Sequence, residues 1–262
     1  MTFFFFFLIS FLASLIGSIC GIGGGVIIKP VLDAFGVLSV SAVSFLSGCT
    51  VLAMSCCTVI RTRRSGDSCI QTDTTIPLAA GAAAGGILGK SLFHLLSAWA
   101  ADESRVGAVQ TVLLTILTLG TLLYMLNRSR IATLHIRNRI GCLEIGLALG
   151  ILSSFLGIGG GPINLAVLSF FFSMDSREAA QNSLCIILFS QTASLTTAVL
   201  SRSVPAVSPW ILLLMICAGI TGSLAGCRIS RKAANQTVDR LSALLMVLII
   251  GINILNLFQY LS

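Results

Sequence analysis

The stretch Ser18-Ile19-Cys20-Gly21-Ile22-Gly23-Gly24-Gly25 recurs 136 residues later as Ser154-Phe155-Leu156-Gly157-Ile158-Gly159-Gly160-Gly161. Each copy lies in a long apolar run with almost no charge. Because glycine adopts backbone conformations that other residues avoid and weakens helices, such a cluster predicts a break. Two matching apolar segments, each interrupted by glycine, are typical of a binding site in a duplicated membrane protein.

The composition excludes a soluble protein. Hydrophobic residues make up 56% of the chain and charged residues 10%, with a mean hydropathy of +1.01, whereas a soluble domain carries about 25% charged residues. The net charge of +7 is too scattered for a nucleic-acid-binding face. The nine cysteines form no metal-binding pattern, and we interpret them as small buried residues. We therefore expect the lipid bilayer, and no nucleic acid, as a partner.

Eight apolar runs follow one another along the chain, and a bilayer-spanning helix needs about 20 residues. The first and fifth runs contain the glycine clusters and are too long for one straight helix. We interpret the phenylalanine-rich start as part of the first membrane segment, because no Lys or Arg precedes it as in a cleaved signal. The runs cover about 3–37, 42–60, 74–96, 107–126, 141–173, 180–200, 207–227 and 239–259.

The basic residues indicate how the two long runs cross. If each crossed once, the two membrane faces would receive eight basic residues each, and the enrichment of Lys and Arg in cytoplasmic loops would give no signal. If each run folds back at its glycines, only Arg105 and Arg202 lie on one face, while Lys29 and Lys90 stay within apolar runs. The other face then receives Arg61, Arg63, Arg64, Arg128, Arg130, Arg137, Arg139, Arg177, Arg228, Arg231, Lys232 and Arg240. We predict this fold-back arrangement, with the loops 61–73, 127–140 and 228–238 in the cytoplasm.

This arrangement sets the predicted fold class. We expect an all-α, polytopic membrane protein with two inverted repeats, each a glycine-broken helical hairpin plus three transmembrane helices, so that eight runs give up to ten segments. Each half crosses an odd number of times, so the second half is inverted and the two glycine turns can meet near the midplane. We divide the chain into a first repeat at 1–127, a basic cytoplasmic linker at 128–140 and a second repeat at 141–262, within one membrane domain.

The repeat extends beyond the glycines. We align Ala42-Val43-Ser44 with Ala180-Gln181-Asn182 after a two-residue insertion, and Gly85 and Gly89 with Gly222 and Gly226. The last two pairs have the small-x-x-x-small spacing that lets helices approach closely, which predicts packing faces rather than ligand sites.

The candidate binding site uses main-chain groups. Helices that restart at Gly25-Val26 and Gly161-Pro162 would offer unpaired N–H donors and positive dipole ends to one point. Such a site suits a small anion; the alternative is that the glycines only permit tight packing. The predicted substrate-binding residues are Gly21, Gly23, Gly24, Gly25, Lys29, Gly157, Gly159, Gly160, Gly161, Asn164, Asn182 and Gln191.

The side chains in this set supply charge and amides. Lys29 lies just beyond the first break and could provide the charge that an anion requires, or could pair with Asp33 four residues later. Asn164, Asn182 and Gln191 place amides in apolar helices, where either hydrogen bonding between helices or the lining of a polar path explains them. No pattern predicts a catalytic centre, a metal site or a cofactor.

The two S-x-x-G-I-G-G-G segments, followed by Val31-Leu32 and Val167-Leu168, resemble those of the sulfite exporter TauE/SafE family of membrane permeases, which includes 4-toluenesulfonate uptake permease-like proteins. The resemblance covers nearly the whole chain. It implies movement of small sulfur-containing anions, such as sulfite, thiosulfate or organosulfonates, across the cytoplasmic membrane. The proline that follows the glycines in the family is present at Pro162 but shifted to Pro30 in the first half, and Lys29 is not a feature that the family leads us to expect.

We therefore predict a secondary transporter for a small anion that works by alternating access, and not an enzyme. The alternatives are an anion channel and a non-transporting membrane subunit. Glu144 could carry a coupling proton, or could pair with Arg137 or Arg139 beside it. The sequence is compatible with coupling of transport to H⁺ or to another ion.

Overall fold

The protein is built from helices. A computed structural model describes residues 2–36, 38–66, 68–99, 103–136 and 138–261, and within these ranges it contains ten α-helices, a 3₁₀ turn at Arg128–Arg130 and no strand. The helices are α1 (Thr2–Cys20), α2 (Gly25–Phe35), α3 (Val40–Arg64), α4 (Thr72–Trp99), α5 (Glu103–Asn127), α6 (Arg139–Leu156), α7 (Gly161–Phe172), α8 (Ser176–Leu200), α9 (Pro209–Ser230) and α10 (Asn235–Leu261).

Eight of these helices are long and apolar enough to cross a membrane. The other two, α2 and α7, have 11 and 12 residues and follow the glycine breaks. At 1.5 Å per residue, such a helix covers roughly half of a bilayer core about 30 Å thick. The predicted fold class is therefore confirmed, with each long run divided into one full-length helix and one half-length helix.

The first long run folds back at its glycines. A Cβ placed on Gly17 would lie 2.7 Å from the main-chain nitrogen of Gly24, so the chain after the break returns along α1. Phe35, the last residue of α2, packs edge-on against Phe5 near the start of α1, with 4.4 Å between the ring centroids. Helix α2 thus ends at the face from which α1 begins.

The second long run does the same. The main-chain N–H groups of Leu134 and Ile136, just before α6, donate to the carbonyls of Phe170 and Phe171 at the end of α7, over 2.9 and 2.8 Å. These bonds hold the end of α7 beside the start of α6. Each half therefore contains a fold-back segment followed by three full-length helices, and the second half is inverted relative to the first.

Contacts between helix ends show which connections share a face. On one face, Arg231 after α9 contacts Ser65 after α3, with 3.5 Å between Nη1 and Oγ. On the opposite face, the Asn256 side-chain amide near the end of α10 donates to the Pro30 carbonyl of α2 over 2.8 Å. We name the first the cationic face and the second the distal face. Among the described residues, the cationic face carries Arg61, Arg63, Arg64, Arg128, Arg130, Arg139, Arg177, Arg228, Arg231, Lys232 and Arg240. Arg137, which the sequence analysis also placed there, lies outside the described residues.

The two halves are interlocked. Helix α4 of the first half packs along α6 of the second, and α9 of the second packs along α1 of the first. A Cβ on Gly85 would overlap the carbonyl oxygen of Leu147, and one on Gly222 would overlap that of Phe11. These close backbone approaches confirm the predicted packing faces. The helix that precedes each glycine break, α1 or α6, therefore packs along a helix of the other half.

The predicted two-residue insertion before α8 is wrong. Helices α3 and α8 both have 25 residues and start 136 residues apart, which is the offset of the glycine breaks. In agreement, Gly21 packs against Ala180, and Gly157 packs against Ser44. The residue equivalent to Ser44 is therefore Ala180 and not Asn182.

The error has a local cause at the start of α8. Asp175 caps this helix, and its carboxylate and the Glu178 side chain form a reciprocal capping box. The polar first turn that follows Asp175 therefore belongs to the helix, although its hydrophilic sequence is typical of a loop. The proposed division into repeats at 1–127 and 141–262 stays a prediction.

Candidate functional site

The two glycine breaks pack directly against each other. A Cβ on Gly25 would overlap the carbonyl oxygen of Ile158, and one on Gly161 would lie 2.7 Å from Cγ2 of Val26. The end of each break therefore contacts the other break, as the predicted inverted arrangement requires. We name this contact region the glycine centre.

The glycine centre lies halfway along two full-length helices. A Cβ on Gly23 would lie 3.2 Å from Cδ1 of Ile187 in α8 and 3.8 Å from Cγ1 of Val51 in α3. Val51 and Ile187 are each the twelfth of the 25 residues in their helices. Because a helix of this length spans a bilayer, the glycine centre lies near the midplane.

The backbone of the two breaks explains the need for glycine. The left-handed conformation recurs at equivalent places, with φ of 72° and 78° at Gly21 and Gly23 and of 67° and 78° at Gly157 and Gly159. The breaks differ at their ends, where Gly161 has φ of 60°. Pro162 accounts for this difference, because a proline disfavours the right-handed helical conformation in the residue before it.

The helices that restart at the glycine centre have no side-chain cap. Helices α3, α6 and α8 begin at a membrane face, where Ser39, Asn138 and Asp175 accept hydrogen bonds from their first turns. Helices α2 and α7 instead begin after Gly24 and Gly160, which offer no side chain. The first N–H groups of a helix have no partner within the helix, and they carry its positive dipole end. Two such helix starts therefore present donors inside the membrane.

Polar side chains near the glycine centre are buried without partners. Ser47 Oγ would lie 2.9 Å from a Cβ on Gly25, and the Asn164 side chain lies beside Gly160. Because buried polar groups are nearly always hydrogen-bonded, unpaired ones in a cluster are expected where a polar ligand binds. The unpaired atoms along α3, α7 and α8 include Ser47 Oγ, Asn164 Oδ1, Ser183 Oγ, Ser190 Oγ and Gln191 Nε2.

Lys29 lies next to the glycine centre but is bonded to the end of α6. Its side chain is 3% exposed, and its ammonium group donates to the Leu156 carbonyl over 2.8 Å, to Ser44 Oγ over 3.2 Å and to Gln110 Oε1. These bonds occupy the three donors of the group. Leu156 is the last residue of α6, where carbonyls lack helical partners and the dipole is negative. The predicted pairing of Lys29 with Asp33 is present only as an attraction between their charges, because the ammonium group donates to the three acceptors above and Asp33 Oδ1 has no hydrogen-bond partner.

Gln110 of α5 is a contact that the sequence analysis missed. Besides accepting from Lys29, it donates through Nε2 to the Phe155 carbonyl. Lys29 and Gln110 together hold the last two carbonyls of α6, immediately before the second break. The only signal in the sequence is a lone amide within an apolar run.

The remaining predicted amides lie in different places. Gln191 lies one turn beyond Ile187 in α8, and its Oε1 faces Gly48 of α3. Asn182 holds the connection between α3 and α4 near the cationic face, where it bonds to Cys69, Gln71, Thr75 and Glu178. The structure thus brings the eight glycines and Asn164 together and places Asn182 at a connection. Glu144 of α6 has an exposed side chain.

A basic cavity of about 30 Å³ lies at the cationic face. Its walls include Arg61, Arg177 and Arg231 with the hydroxyls of Ser18 and Thr58. Arg61 Nε is buried without a hydrogen-bond partner. Ala180, also on the wall, packs against Gly21, so the cavity ends at the first break. Guanidinium groups bind oxyanions well, which makes Arg61 a candidate anion ligand; the sequence had indicated only that this residue orients the chain in the membrane.

Eight helices long and apolar enough to cross a membrane, and two equivalent helix breaks that meet at mid-depth, define a class, that of the multi-pass membrane transporters built from inverted repeats. The sequence matches the family described as Sulfite exporter TauE/SafE over residues 6–254, nearly the whole chain. The chain belongs to this family of membrane exporters, which confirms the resemblance. Comparison with curated proteins and with solved structures gives no match.

Proposed function

We propose that the protein is a secondary transporter that moves a small sulfur-containing anion, such as sulfite, thiosulfate or an organosulfonate, by alternating access. The observation that carries the proposal is the meeting of two uncapped helix starts, at Gly25 and Gly161, near the midplane. The geometry supports an anion, because helix N-termini bind anions. Membership in the TauE/SafE family supports a sulfur-containing anion as the substrate.

The anion would be held mainly by main-chain groups. The first N–H groups of α2 and α7 supply donors, and no side chain of the breaks would cover them once the two breaks move apart. The Ser47 hydroxyl and the Asn164 amide add neutral polar groups beside the two helix starts. Lys29 would act indirectly in this proposal, by fixing the end of α6.

Two symmetry-related contacts would serve as gates. Toward the cationic face, Gly21 of the first half packs against Ala180 of the second; toward the distal face, Gly157 of the second half packs against Ser44 of the first. Each gate joins the two halves, so a rocking of one half against the other can open one gate while the other stays closed. The basic cavity beneath the Gly21 gate would collect anions on the cationic face.

We further propose that the protein resides in the cell membrane with its cationic face in the cytoplasm. The support is the concentration of Lys and Arg at the helix ends and connections of that face, since cytoplasmic loops and the adjoining ends of membrane helices are enriched in these residues. The basic cavity would then open toward the cytoplasm.

Flux into proteoliposomes tests the proposal. We expect the purified protein to take up at least one labelled anion from a panel of sulfite, thiosulfate, organosulfonates and carboxylates, with saturable kinetics. Gly160→Val should abolish this uptake, because Gly160 has φ of 116° and a Cβ there would lie 2.8 Å from Ile187 Cγ1. Gly251→Val is the matched control, since nothing lies within 4 Å of a Cβ at Gly251.

Each outcome separates the alternatives. Unchanged uptake by a correctly inserted Gly160→Val variant would refute the glycine centre as the transport site. Uptake that does not saturate would indicate a channel. If the purified wild-type protein takes up no anion of the panel, the hypothesis that it transports without another subunit is wrong, and a non-transporting subunit is favoured.

A further inference from the structure

A second buried polar cluster lies between α2, α5 and α10, on the distal side of the glycine centre. A cavity of about 10 Å³ is lined there by Lys29, Asp33, Gln110, Thr111 and Asn253, among others. Asp33 Oδ1 and Asn253 Nδ2 are both buried without a hydrogen-bond partner, and Asn253 is 1% exposed. The substrate pathway proposed above does not use Asp33 or Asn253.

The size and chemistry of the cavity limit what can bind. Its volume is about that of one water molecule, and a polar cavity of this size holds a water when several polar groups line it. A carboxylate oxygen buried in a membrane without a donor is strongly disfavoured, whereas the protonated form removes the charge. A metal cation would need several oxygen ligands, whereas Asp33 supplies the carboxyl group on the cavity wall and the volume is about that of one water. The cluster therefore favours a proton.

We propose that Asp33 is the proton-binding group through which anion movement is coupled to a pH gradient, a proposal that rests on the transport function above. The proton would reach the Asp33 carboxylate from the distal aqueous phase through the small cavity and convert it to the neutral carboxyl. It would leave the same oxygen toward the cationic face, together with the anion, after the distal gate has closed and the opposite gate has opened.

Lys29 connects Asp33 to the second break. Lys29 and Asp33 are four residues apart in α2, the spacing at which side chains of a helix can pair. In the structure, the ammonium group instead binds the Leu156 carbonyl and Ser44 Oγ, and Ser44 forms the distal gate with Gly157. When Asp33 is ionised, its charge attracts the ammonium group away from these acceptors, which loosens the gate. When Asp33 is protonated, Lys29 stays on α6 and the gate stays closed.

The surroundings of Asp33 contain few other titratable groups. Lys90 of α4 acts on Lys29 at longer range, and Tyr260 of α10 faces Asp33. Cys49 of α3 lies near Lys90. Helix α5 contributes Gln110 and Thr111, which do not titrate. Asp33 is thus the carboxyl group on the wall of the cavity.

Transport of thiosulfate under a pH gradient tests this assignment, because thiosulfate stays ionised near neutral pH and carries no proton itself. The full-length protein is reconstituted with the membrane potential clamped by valinomycin and potassium. For one proton per anion, we expect the steady-state accumulation ratio to change about tenfold per pH unit. A pH-sensitive dye inside the vesicles should report proton movement when thiosulfate is added.

Asp33→Asn is expected to make accumulation independent of the pH gradient and to abolish the dye signal. Glu144→Gln is the matched control: it neutralises the exposed carboxyl of α6 and should keep both responses. If Asp33→Asn elutes as aggregate, Asn253→Leu, which fills the cavity, should weaken the gradient response instead.

The outcomes separate this proposal from the proposed function. The role of Asp33 is overturned if thiosulfate accumulation by the wild-type protein is independent of the pH gradient, or if a folded Asp33→Asn variant keeps the gradient response. Either result leaves the proposed anion transport intact. A loss of coupling in Glu144→Gln alone would assign the proton to Glu144. If the wild-type protein moves none of the panel anions, the proposed function fails first.

Discussion

At the residue scale, the helix breaks at the glycines can be predicted from the sequence, but the hydrogen-bond partners of Lys29 cannot. Eight glycines in two matched clusters predict helix breaks because glycine adopts left-handed backbone conformations that other residues rarely adopt, as six of the eight do here, and α2 and α7 begin at the predicted residues, Gly25 and Gly161. Lys29 was expected to carry charge or to pair with Asp33. Its actual acceptors, Leu156 and Gln110, lie 127 and 81 residues away along the chain. Local spacing contains no information about such contacts.

The contacts of Lys29 predict a structural role that can be separated from anion binding. Lys29→Met removes three hydrogen bonds and leaves the last carbonyl of α6 without its partner. We expect the free energy of unfolding in detergent to fall by at least about 1.5–3 kcal/mol, which is the contribution of one hydrogen bond to a charged group. Lys232→Met, at an exposed position, is the control and should leave stability unchanged. A variant with full stability and no anion binding would instead identify Lys29 as a direct ligand.

At the scale of elements, the apolar runs predict the helices well, but not their register. The runs at 42–60 and 180–200 begin two and four residues inside α3 and α8, which start at Val40 and Ser176. The difference between the predicted and the observed start is larger for α8, because the first turn of this helix is polar and is capped by Asp175. The two-residue insertion inferred from the sequence is the result. The packing of Gly21 on Ala180 and of Gly157 on Ser44 restores the constant offset.

The interlocking of the halves predicts which glycines are essential for folding. Gly85→Leu should disrupt the contact of α4 with α6, because a Cβ at Gly85 would overlap the Leu147 carbonyl and backbone cannot move aside as a flexible side chain can. We expect a stability loss of at least about 1–3 kcal/mol, measured as thermal unfolding of the purified protein. Gly120→Leu, where nothing lies within 4 Å of a Cβ, should be tolerated. Equal stability of the two variants would refute the close packing of α4 on α6.

At the scale of the whole molecule, charge sorting predicted the topology because lipid leaves a helical chain few alternatives. Of the two arrangements compared, only the one in which the long runs fold back at their glycines places nearly all basic residues on one face. The hydrogen bonds from Leu134 and Ile136 to the end of α7 show that the second long run does return to its starting face. The basic cavity could not be predicted in the same way. Arg61 lies at the end of α3, Arg177 at the start of α8 and Arg231 just after α9, so they meet only in the folded protein.

Orientation in the membrane is the prediction that belongs to this scale. Arg130 and Arg202 are exposed residues on the cationic and the distal face, respectively. In intact cells, an impermeant maleimide should label Arg202→Cys and should reach Arg130→Cys only after permeabilisation. The parent protein, with its nine native cysteines, sets the background. Labelling of Arg130→Cys in intact cells would place the cationic face outside and reverse the proposed direction of the basic cavity.

The most direct measurement is an experimental structure of the protein in lipid at saturating thiosulfate or sulfite. The account predicts density for one anion at mid-depth, within hydrogen-bond distance of the main-chain N–H groups at the starts of both α2 and α7, with the packing of Gly25 on Ile158 and of Gly161 on Val26 opened to admit it. An anion bound elsewhere along the transport path, while the two breaks stay packed together, would contradict it.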